Sequence, residues 1–191
     1  MANPAPLELG KIYHIYNRGN NRENIFIQER NYAYFLKLWE LHIQRVADTY
    51  GYCLLKNHFH AVVHLTHRLP RSRKRPARQP SQYFSNFFNA YARAVNIATS
   101  RSGALFERPF HRIEVTSEEY LASLIVYIHQ NPERHGFVDD FQDWPYSSFH
   151  ELLGGDSKLL NCDAVMKLFG GKESFLQIHC RIQPLEILED E

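Results

Sequence analysis

The sequence lacks the features that mark disulfide-stapled, exported or membrane-spanning proteins. Its three cysteines, Cys53, Cys162 and Cys180, are odd in number and form no CxxC pair. That pattern argues against a disulfide framework or a cysteine-based zinc site and is typical of a reducing compartment. No apolar run approaches the roughly 18 residues that span a bilayer, and no basic-then-apolar leader opens the chain. We therefore expect a soluble, cytoplasmic protein.

An excess of charge of one sign is also lacking. The 191 residues include 22 Lys and Arg against 21 Asp and Glu, which gives a formal net charge of +1. So weak an overall field excludes nucleic-acid binding through bulk charge, and any such contact must come from local clusters. The composition, 44% hydrophobic and 23% charged, is that of an ordinary globular protein. A chain of this length can bury a core without needing disulfide bonds or a metal to fold.

The apolar pattern predicts alternating strands and helices. We expect strands over residues 11–17, 52–55, 58–65 and 110–115, a helix over residues 28–50, and an aromatic-faced helix from residue 80 that ends before residue 103. Thr116 to Glu119 resembles a capping box, and the helix that it opens should stop at Pro132. Two short helices should follow, around residues 162–169 and 173–182.

This order predicts an α+β fold, with helices packed on an antiparallel sheet and a C-terminal helical tail. A ferredoxin-like arrangement is compatible with it. We place a catalytic unit at residues 9–149 and a helical extension at residues 150–191.

The segment His58-Phe59-His60 is the first candidate for chemistry. In a strand, residues two apart point to one face about 6–7 Å from each other along the chain. Both imidazoles could then converge on one divalent ion while Phe59 points into the core. Neutral imidazole is a common metal ligand. Alone the pattern is weak evidence, because eleven histidines make a chance pair easy to find.

The second candidate is the helical segment that contains Tyr127 and Asn131. Residues four apart stack one turn apart on a helix face. Both lie on the flank of the apolar stripe, so Tyr127 could reach a cleft while the helix stays packed. A lone tyrosine in this position is more often a core-edge residue whose hydroxyl has found a partner.

Together these segments resemble a known family. The motifs that carry the resemblance are Tyr13-His14-Ile15 with Asn17-Arg18-Gly19, Asn57-His58-Phe59-His60, Tyr127-Ile128-His129-Gln130-Asn131-Pro132 and Trp144-Pro145-Tyr146-Ser147-Ser148-Phe149. In this order and spacing they resemble the REP-associated tyrosine transposases. These belong to the single-tyrosine HUH transposases, named for two histidines that flank a hydrophobic residue. The resemblance covers residues 9–149.

The resemblance implies a ferredoxin-like catalytic domain that cleaves and rejoins single-stranded DNA at hairpins of repetitive palindromic elements. It implies that Tyr127 is the nucleophile of a 5′-phosphotyrosine intermediate. His58, His60 and Asn131 would be the ligands of a divalent ion, Mg²⁺ or Mn²⁺. It leaves open whether the protein is a monomer or a homodimer.

Two departures from the family pattern stand near these motifs. Leu55-Lys56-Asn57 replaces the usual Met-Pro-Asn, and Glu133-Arg134-His135-Gly136 replaces a small or aliphatic residue, a basic residue and Ala-Gly. Three rival functions remain open. They are a domesticated, non-catalytic protein that binds single-stranded or hairpin DNA, a replication-initiator or relaxase-like nickase, and a hydrolase whose metal activates water.

Local basic residues are the candidates for DNA contact. Six of them form a proline-broken segment, Arg68, Arg71, Arg73, Lys74, Arg75 and Arg78. The segment would track phosphates with a steep salt dependence, and the alternative is a solvated loop. Arg18, Arg108 and Arg112 near strand ends are further candidates, and Phe106 and Phe110 could stack unpaired bases.

Overall fold

The computed structural model describes residues 6–66 and 79–181. Within these ranges lie four strands, β1 (Ile12–Arg18), β2 (Ala47–Leu54), β3 (His58–Leu65) and β4 (His111–Val115). The same ranges hold six helices, α1 (Glu29–Ile43), α2 (Pro80–Ala98), α3 (Glu118–Arg134), α4 (Phe149–Gly154), α5 (Cys162–Phe169) and α6 (Lys172–Arg181). None of these helices is both long and apolar enough to cross a membrane.

The four strands form one antiparallel sheet in the order β2-β3-β1-β4. The chain passes from β1 through α1 to β2, and β3 lies between those two strands. It then passes from β3 through α2 to β4, with β1 in between. This βαββαβ arrangement is ferredoxin-like, so the predicted fold class is confirmed.

One face of the sheet carries the main aromatic core under α1 and α2. Phe59 of β3 is fully buried there, with its ring centroid 5.0 Å from that of Phe35 and 5.9 Å from that of Phe88. Trp39 meets Phe87 edge-on at 5.2 Å. Edge-to-face contacts of this kind add to the hydrophobic gain of burying the rings. The prediction that Phe59 points into the core is therefore confirmed.

The opposite face carries His58 and His60 and is crossed by α3. Residues two apart on a strand share a face, and Phe59 between them belongs to the other one. A Cβ built on Gly51 of β2 would lie 3.4 Å from Cδ1 of Ile128, so α3 lies directly on that strand. The candidate site forms where α3 meets the histidine-bearing face.

The chain after α3 follows the outer edge of β2. The backbone N–H of Leu54 donates to the carbonyl of Tyr146 at 2.9 Å, and that of Ser148 donates to the carbonyl of Tyr52 at 2.9 Å. These bonds satisfy an edge that would otherwise expose backbone donors and acceptors. Helices α4, α5 and α6 then confirm the expected helical tail up to residue 181. The division into two units at residue 150 stays a prediction.

The helix expected over residues 28–50 was wrong in its second half. Helix α1 ends at Ile43, and Ala47–Leu54 form the strand β2. Val46 stands at a helical spacing from the residues before it, but it is the entry to a strand. Pairing with β3 decides the conformation here, because strand formation depends more on tertiary context than on local pattern.

Both ends of α3 also differ from the prediction. The N-cap is Ser117, whose Oγ accepts from the backbone N–H of Tyr120 at 3.1 Å, so the cap lies one residue after the predicted Thr116. Helix α3 continues through Pro132 to Arg134. A proline in the last turn removes only one helical hydrogen bond, which is a cost that the end of a packed helix tolerates.

Candidate active site

Strand β3 holds His58 and His60 as a neutral pair. Their ring centroids are 5.2 Å apart, and His60 is fully buried. Burial, with smaller contributions from His135 and Arg18, lowers the pKa of His58 to about 3. Burial likewise lowers the pKa of His60 well below its usual value. Both rings are therefore neutral near pH 7, in the form that ligates a metal ion.

The contacts of the two rings determine which nitrogen faces the site. Nδ1 of His58 lies 2.8 Å from Oδ1 of Asn57. Because an amide oxygen only accepts, Nδ1 donates and the lone pair of the neutral ring lies on Nε2. Nδ1 of His60 lies 2.9 Å from Nε2 of His14, so Nε2 of His60 is the nitrogen on the other side of the ring. Each imidazole would ligate through Nε2.

Helix α3 brings Tyr127 against this pair. The Tyr127 ring centroid lies 6.1 Å from that of His60, with the rings nearly perpendicular at 85°. Asn131 follows one turn later on the same helix face and is fully buried. Among the described residues, neither Oδ1 nor Nδ2 of Asn131 has a hydrogen-bond partner. Buried amides are normally paired, so this one makes Asn131 a candidate for binding.

Two further residues from the end of α3 lie at the site. The guanidinium carbon of Arg134 is 5.3 Å from the ring centroid of Tyr127, and the His135 ring centroid is 5.1 Å from that of His58. No role had been predicted for either. The signal for Arg134 was in the sequence, because positions 127, 131 and 134 share one helix face. His135 has no such signal, since its contact depends on how α3 crosses the sheet.

The donor set available for a metal ion is two imidazoles and one amide oxygen. The part of the chain that the structure describes contains no cluster of three or more His, Cys, Asp and Glu side chains suited to a metal. The unpaired Asn131 amide is the observation that supports a third donor. Imidazole nitrogens suit Mn²⁺ at least as well as Mg²⁺, which prefers an all-oxygen shell.

Comparisons with known proteins bear on this arrangement. No protein-family model matches the chain. Over 105 residues it is 30% identical to a Haemophilus influenzae protein named as a REP-associated tyrosine transposase, across 54% of this chain and 59% of that protein. The match thus spans less than two thirds of the relative's length. The predicted resemblance to the REP-associated tyrosine transposases is confirmed.

A solved structure shares the fold. It is a REP-associated tyrosine transposase bound to a REP hairpin, and it superimposes with a TM-score of 0.60 at 18% identity, over 85% of this chain and 89% of that one. At this level of identity the likeness concerns the fold alone.

A cavity of about 110 Å³ opens beside His58. It is lined by Tyr16, Asn17, Arg18, His58, Phe59, Glu107 and His111. Two hydrogen bonds hold the backbone of its wall. The backbone N–H of Arg18 donates to Oδ1 of Asn17 at 2.9 Å, and that of Glu107 donates to the carbonyl of Arg18 at 3.0 Å. The backbone of Arg18 and that of Glu107 are therefore held together beside His58.

The turn that follows Arg18 requires Gly19. A Cβ at this position would lie 1.9 Å from the carbonyl oxygen of Glu23, so any larger residue would displace the backbone. The N–H of Gly19 donates to the carbonyl of Asn57 at 2.8 Å. This glycine ties the end of β1 to the start of β3, where the first histidine stands.

The basic residues predicted to contact DNA are distributed unevenly. Arg18 lines the cavity, and Arg108 is exposed in the loop just before β4. Arg112 lies on the opposite face of the sheet, with its guanidinium carbon 4.3 Å from the centroid of Phe110. The expected basic segment, Arg68, Arg71, Arg73, Lys74, Arg75 and Arg78, lies outside the described residues.

The two aromatic residues considered for base stacking belong to the core. Phe106 and Phe110 are buried, and each lies close to Phe88 of α2, at 5.1 and 5.2 Å between ring centroids. Stacking on unpaired bases requires an accessible ring face, which these two rings do not offer. Tyr16 and His111, stacked at 4.7 Å beside the cavity, were missed because strand alternation alone does not show which rings line an opening.

Proposed function

We propose that this protein cleaves and rejoins single-stranded DNA through a covalent bond between Tyr127 and a 5′-phosphate. One observation carries the proposal. Tyr127 of α3 stands against the neutral histidine pair of β3, and the unpaired Asn131 amide lies one turn away on the same helix face. A tyrosine, two imidazoles and a buried amide that has no partner among the described residues have no evident structural purpose as a group.

In the proposed reaction the phenolic oxygen of Tyr127 attacks the scissile phosphorus. A bond forms between phosphorus and the phenolic oxygen while the bond from phosphorus to the 3′-oxygen breaks. The phenol gives up its proton, and the departing 3′-oxygen takes up one proton to become the 3′-hydroxyl, so the step balances. The reverse attack by a 3′-hydroxyl rejoins the strand. Because one phosphoester replaces another, joining requires no nucleotide cofactor.

His58, His60 and Asn131 would hold the divalent ion. Bound there, the ion would neutralise the phosphate and polarise its bond to the leaving oxygen. The protein's own contribution is positioning, since strand β3 and helix α3 hold Tyr127 beside the proposed ligands. Arg134, beside the Tyr127 ring, is placed to meet negative charge on the substrate.

The substrate class that we propose is hairpin DNA with an unpaired flank. The structure with the same fold holds a REP hairpin, and the cavity beside His58 would receive an unstacked nucleotide of the flank. Arg18 suits a phosphate. Glu107 would repel phosphates but can accept hydrogen bonds from a base amino group, so it favours a base edge in the cavity.

The test is a denaturing-gel assay of purified protein with Mn²⁺ and labelled single-stranded hairpin oligonucleotides from repeats that flank its gene. We expect a cleaved strand and a protein–DNA adduct, with duplex DNA uncut. Tyr127→Phe should give neither product, whereas Tyr120→Phe on the same helix should behave like the wild type. Cleavage that persists in Tyr127→Phe would indicate a hydrolase. Tight hairpin binding without cleavage by the wild type would indicate a non-catalytic binding protein.

A further inference from the structure

A third histidine lies beneath the pair on β3. His14 of β1 is fully buried, and its Nε2 is 2.9 Å from Nδ1 of His60. The two rings are stacked, with centroids 5.1 Å apart and planes inclined by 19°. His14 also stacks on Tyr16, with ring centroids 4.7 Å apart. These contacts fix the position of the His14 ring below the proposed metal ligand.

The hydrogen bond between the two rings has two possible directions with different consequences. Between neutral imidazoles one nitrogen donates and the other accepts. When His60 donates from Nδ1, its lone pair lies on Nε2, where a metal ion could bind. When His14 donates instead, the proton of neutral His60 lies on Nε2 and blocks ligation. The tautomer of His14 therefore decides whether His60 is a ligand.

We propose that His14 is a positioning residue for the metal site, which accepts the Nδ1–H of His60 and so presents Nε2 of that ring to the ion. The inference rests on the proposed function, because it concerns the same ion. Metal-bound histidines usually donate their second ring N–H to a carboxylate, a carbonyl or water, and this partner sets both tautomer and ring orientation. Here the acceptor is another imidazole.

The surroundings of His14 indicate that this is more than a packing contact. Its Nδ1 is buried and has no hydrogen-bond partner among the described residues. A histidine kept only for structure would be expected to have both nitrogens paired. A phenylalanine would fill the same space beside Tyr16 and His60 without burying an unpaired nitrogen.

Two variants distinguish the role of His14 as a hydrogen-bond acceptor from the packing of its aromatic ring. His14→Phe keeps an aromatic ring and removes the acceptor, whereas His14→Gln supplies an amide oxygen that can accept. The readout is the Kd for Mn²⁺, measured by electron paramagnetic resonance of the free ion in the absence of DNA. We expect His14→Phe to weaken binding by roughly 10- to 100-fold and His14→Gln to recover most of it. His64→Phe, at the far end of β3, is the matched control and should leave the Kd unchanged.

A second measurement needs no variant. In ¹⁵N-histidine spectra of the Mg²⁺-loaded wild-type protein, the proton of His60 should lie on Nδ1, and a proton found on Nε2 would overturn the inference. A folded His14→Phe protein that binds Mn²⁺ like the wild type would also overturn it, and would leave the proposed function intact. Failure of the wild type itself to bind Mn²⁺ would contradict both this inference and the metal site.

Discussion

Two pairs of buried histidines are joined by hydrogen bonds within the described residues, and they differ in one respect. In the pair formed by His129 and His179, every ring nitrogen has a partner. Nδ1 of His179 donates to the carbonyl of Phe175 at 2.8 Å, so its Nε2 accepts from Nδ1 of His129 at 2.9 Å. Nε2 of His129 then accepts from the Ser148 hydroxyl at 2.7 Å. The chain of donors and acceptors is closed, and it joins α6 to α3.

The pair formed by His14 and His60 is not closed in this way. Nδ1 of His14 has no partner among the described residues, and neither do the polar atoms of Asn131 at the same site. Burial and residue type are alike in the two pairs. A satisfied buried network stabilises the fold, whereas buried polar atoms without a partner among the described residues identify a candidate binding site.

The largest effect should come from Asn131→Leu. Leucine has the branching and the number of side-chain heavy atoms of asparagine, and it removes a buried amide that has no partner among the described residues. The free energy of unfolding should therefore stay equal or rise. Loss of a proposed ligand should lower Mn²⁺-dependent cleavage by at least roughly 100-fold. Single-turnover cleavage and a urea titration on the same preparation measure both. A destabilised protein that still cleaves would mean that Asn131 is a structural residue.

The reciprocal change is Ser148→Ala in the closed network. It leaves Nε2 of His129 and the N–H of Tyr52, now 2.8 Å from the serine hydroxyl, without partners. Each such loss costs about 1–3 kcal/mol of stability, while cleavage well below the Tm should persist. Ser85→Ala, at a hydroxyl that bonds only to its own helix backbone, is the control. Equal Tm values for the two variants would show that the closed histidine network does not stabilise the fold.

The closed network also predicts a dependence of stability on pH. Burial lowers the pKa of His179 to about 4, below the value near 6.5 of an unfolded histidine. The contribution of neutral His179 to the free energy of unfolding is therefore complete above about pH 6.5 and is lost as the pH falls towards 4. One such group changes the free energy of unfolding by up to about 1.4 kcal/mol per pH unit. Urea titrations from pH 7.5 to 4.5 should show that the free energy of unfolding depends less steeply on pH in His179→Gln than in the wild type. An equally steep dependence would refute the role given to His179.

The smallest effect concerns Arg18, which lines the cavity beside His58. Arg18→Gln should weaken hairpin binding several-fold and reduce the dependence of log Kd on log salt by about one unit. Fluorescence anisotropy with the Tyr127→Phe protein measures binding without cleavage. Arg93→Gln on α2, across the sheet, should change neither quantity. Similar losses from both substitutions would show that the arginines act through net charge and not through the cavity.

Much of this architecture could be predicted from the sequence. Alternation along β3 placed Phe59 in the core and both histidines on the other face, and the four-residue spacing placed Tyr127 and Asn131 together. Local patterns failed where tertiary pairing decides the conformation, as in the second half of the helix predicted over residues 28–50. The strand β2 forms there because β3 offers it a partner.

The contacts between elements could not be predicted in the same way. His14 lies beneath His60 because β1 pairs with β3 in one register, and a shift of one residue would place it on the other face. Arg134 and His135 reach the site because α3 continues past Pro132. Glu107 lines the cavity through a loop whose path no periodic pattern describes. Site residues of this kind can be identified only from the tertiary structure, in which the strands, helices and loops are in contact.

The most direct test of the central claim is to identify the amino acid that carries the DNA. Wild-type protein would react with a hairpin oligonucleotide and Mn²⁺, and the adduct would be digested with nuclease and protease and sequenced by mass spectrometry. We predict that the peptide containing Tyr127 carries a 5′-linked nucleotide on the phenolic oxygen. A nucleotide on another residue, or cleaved DNA with no modified peptide, would contradict the account.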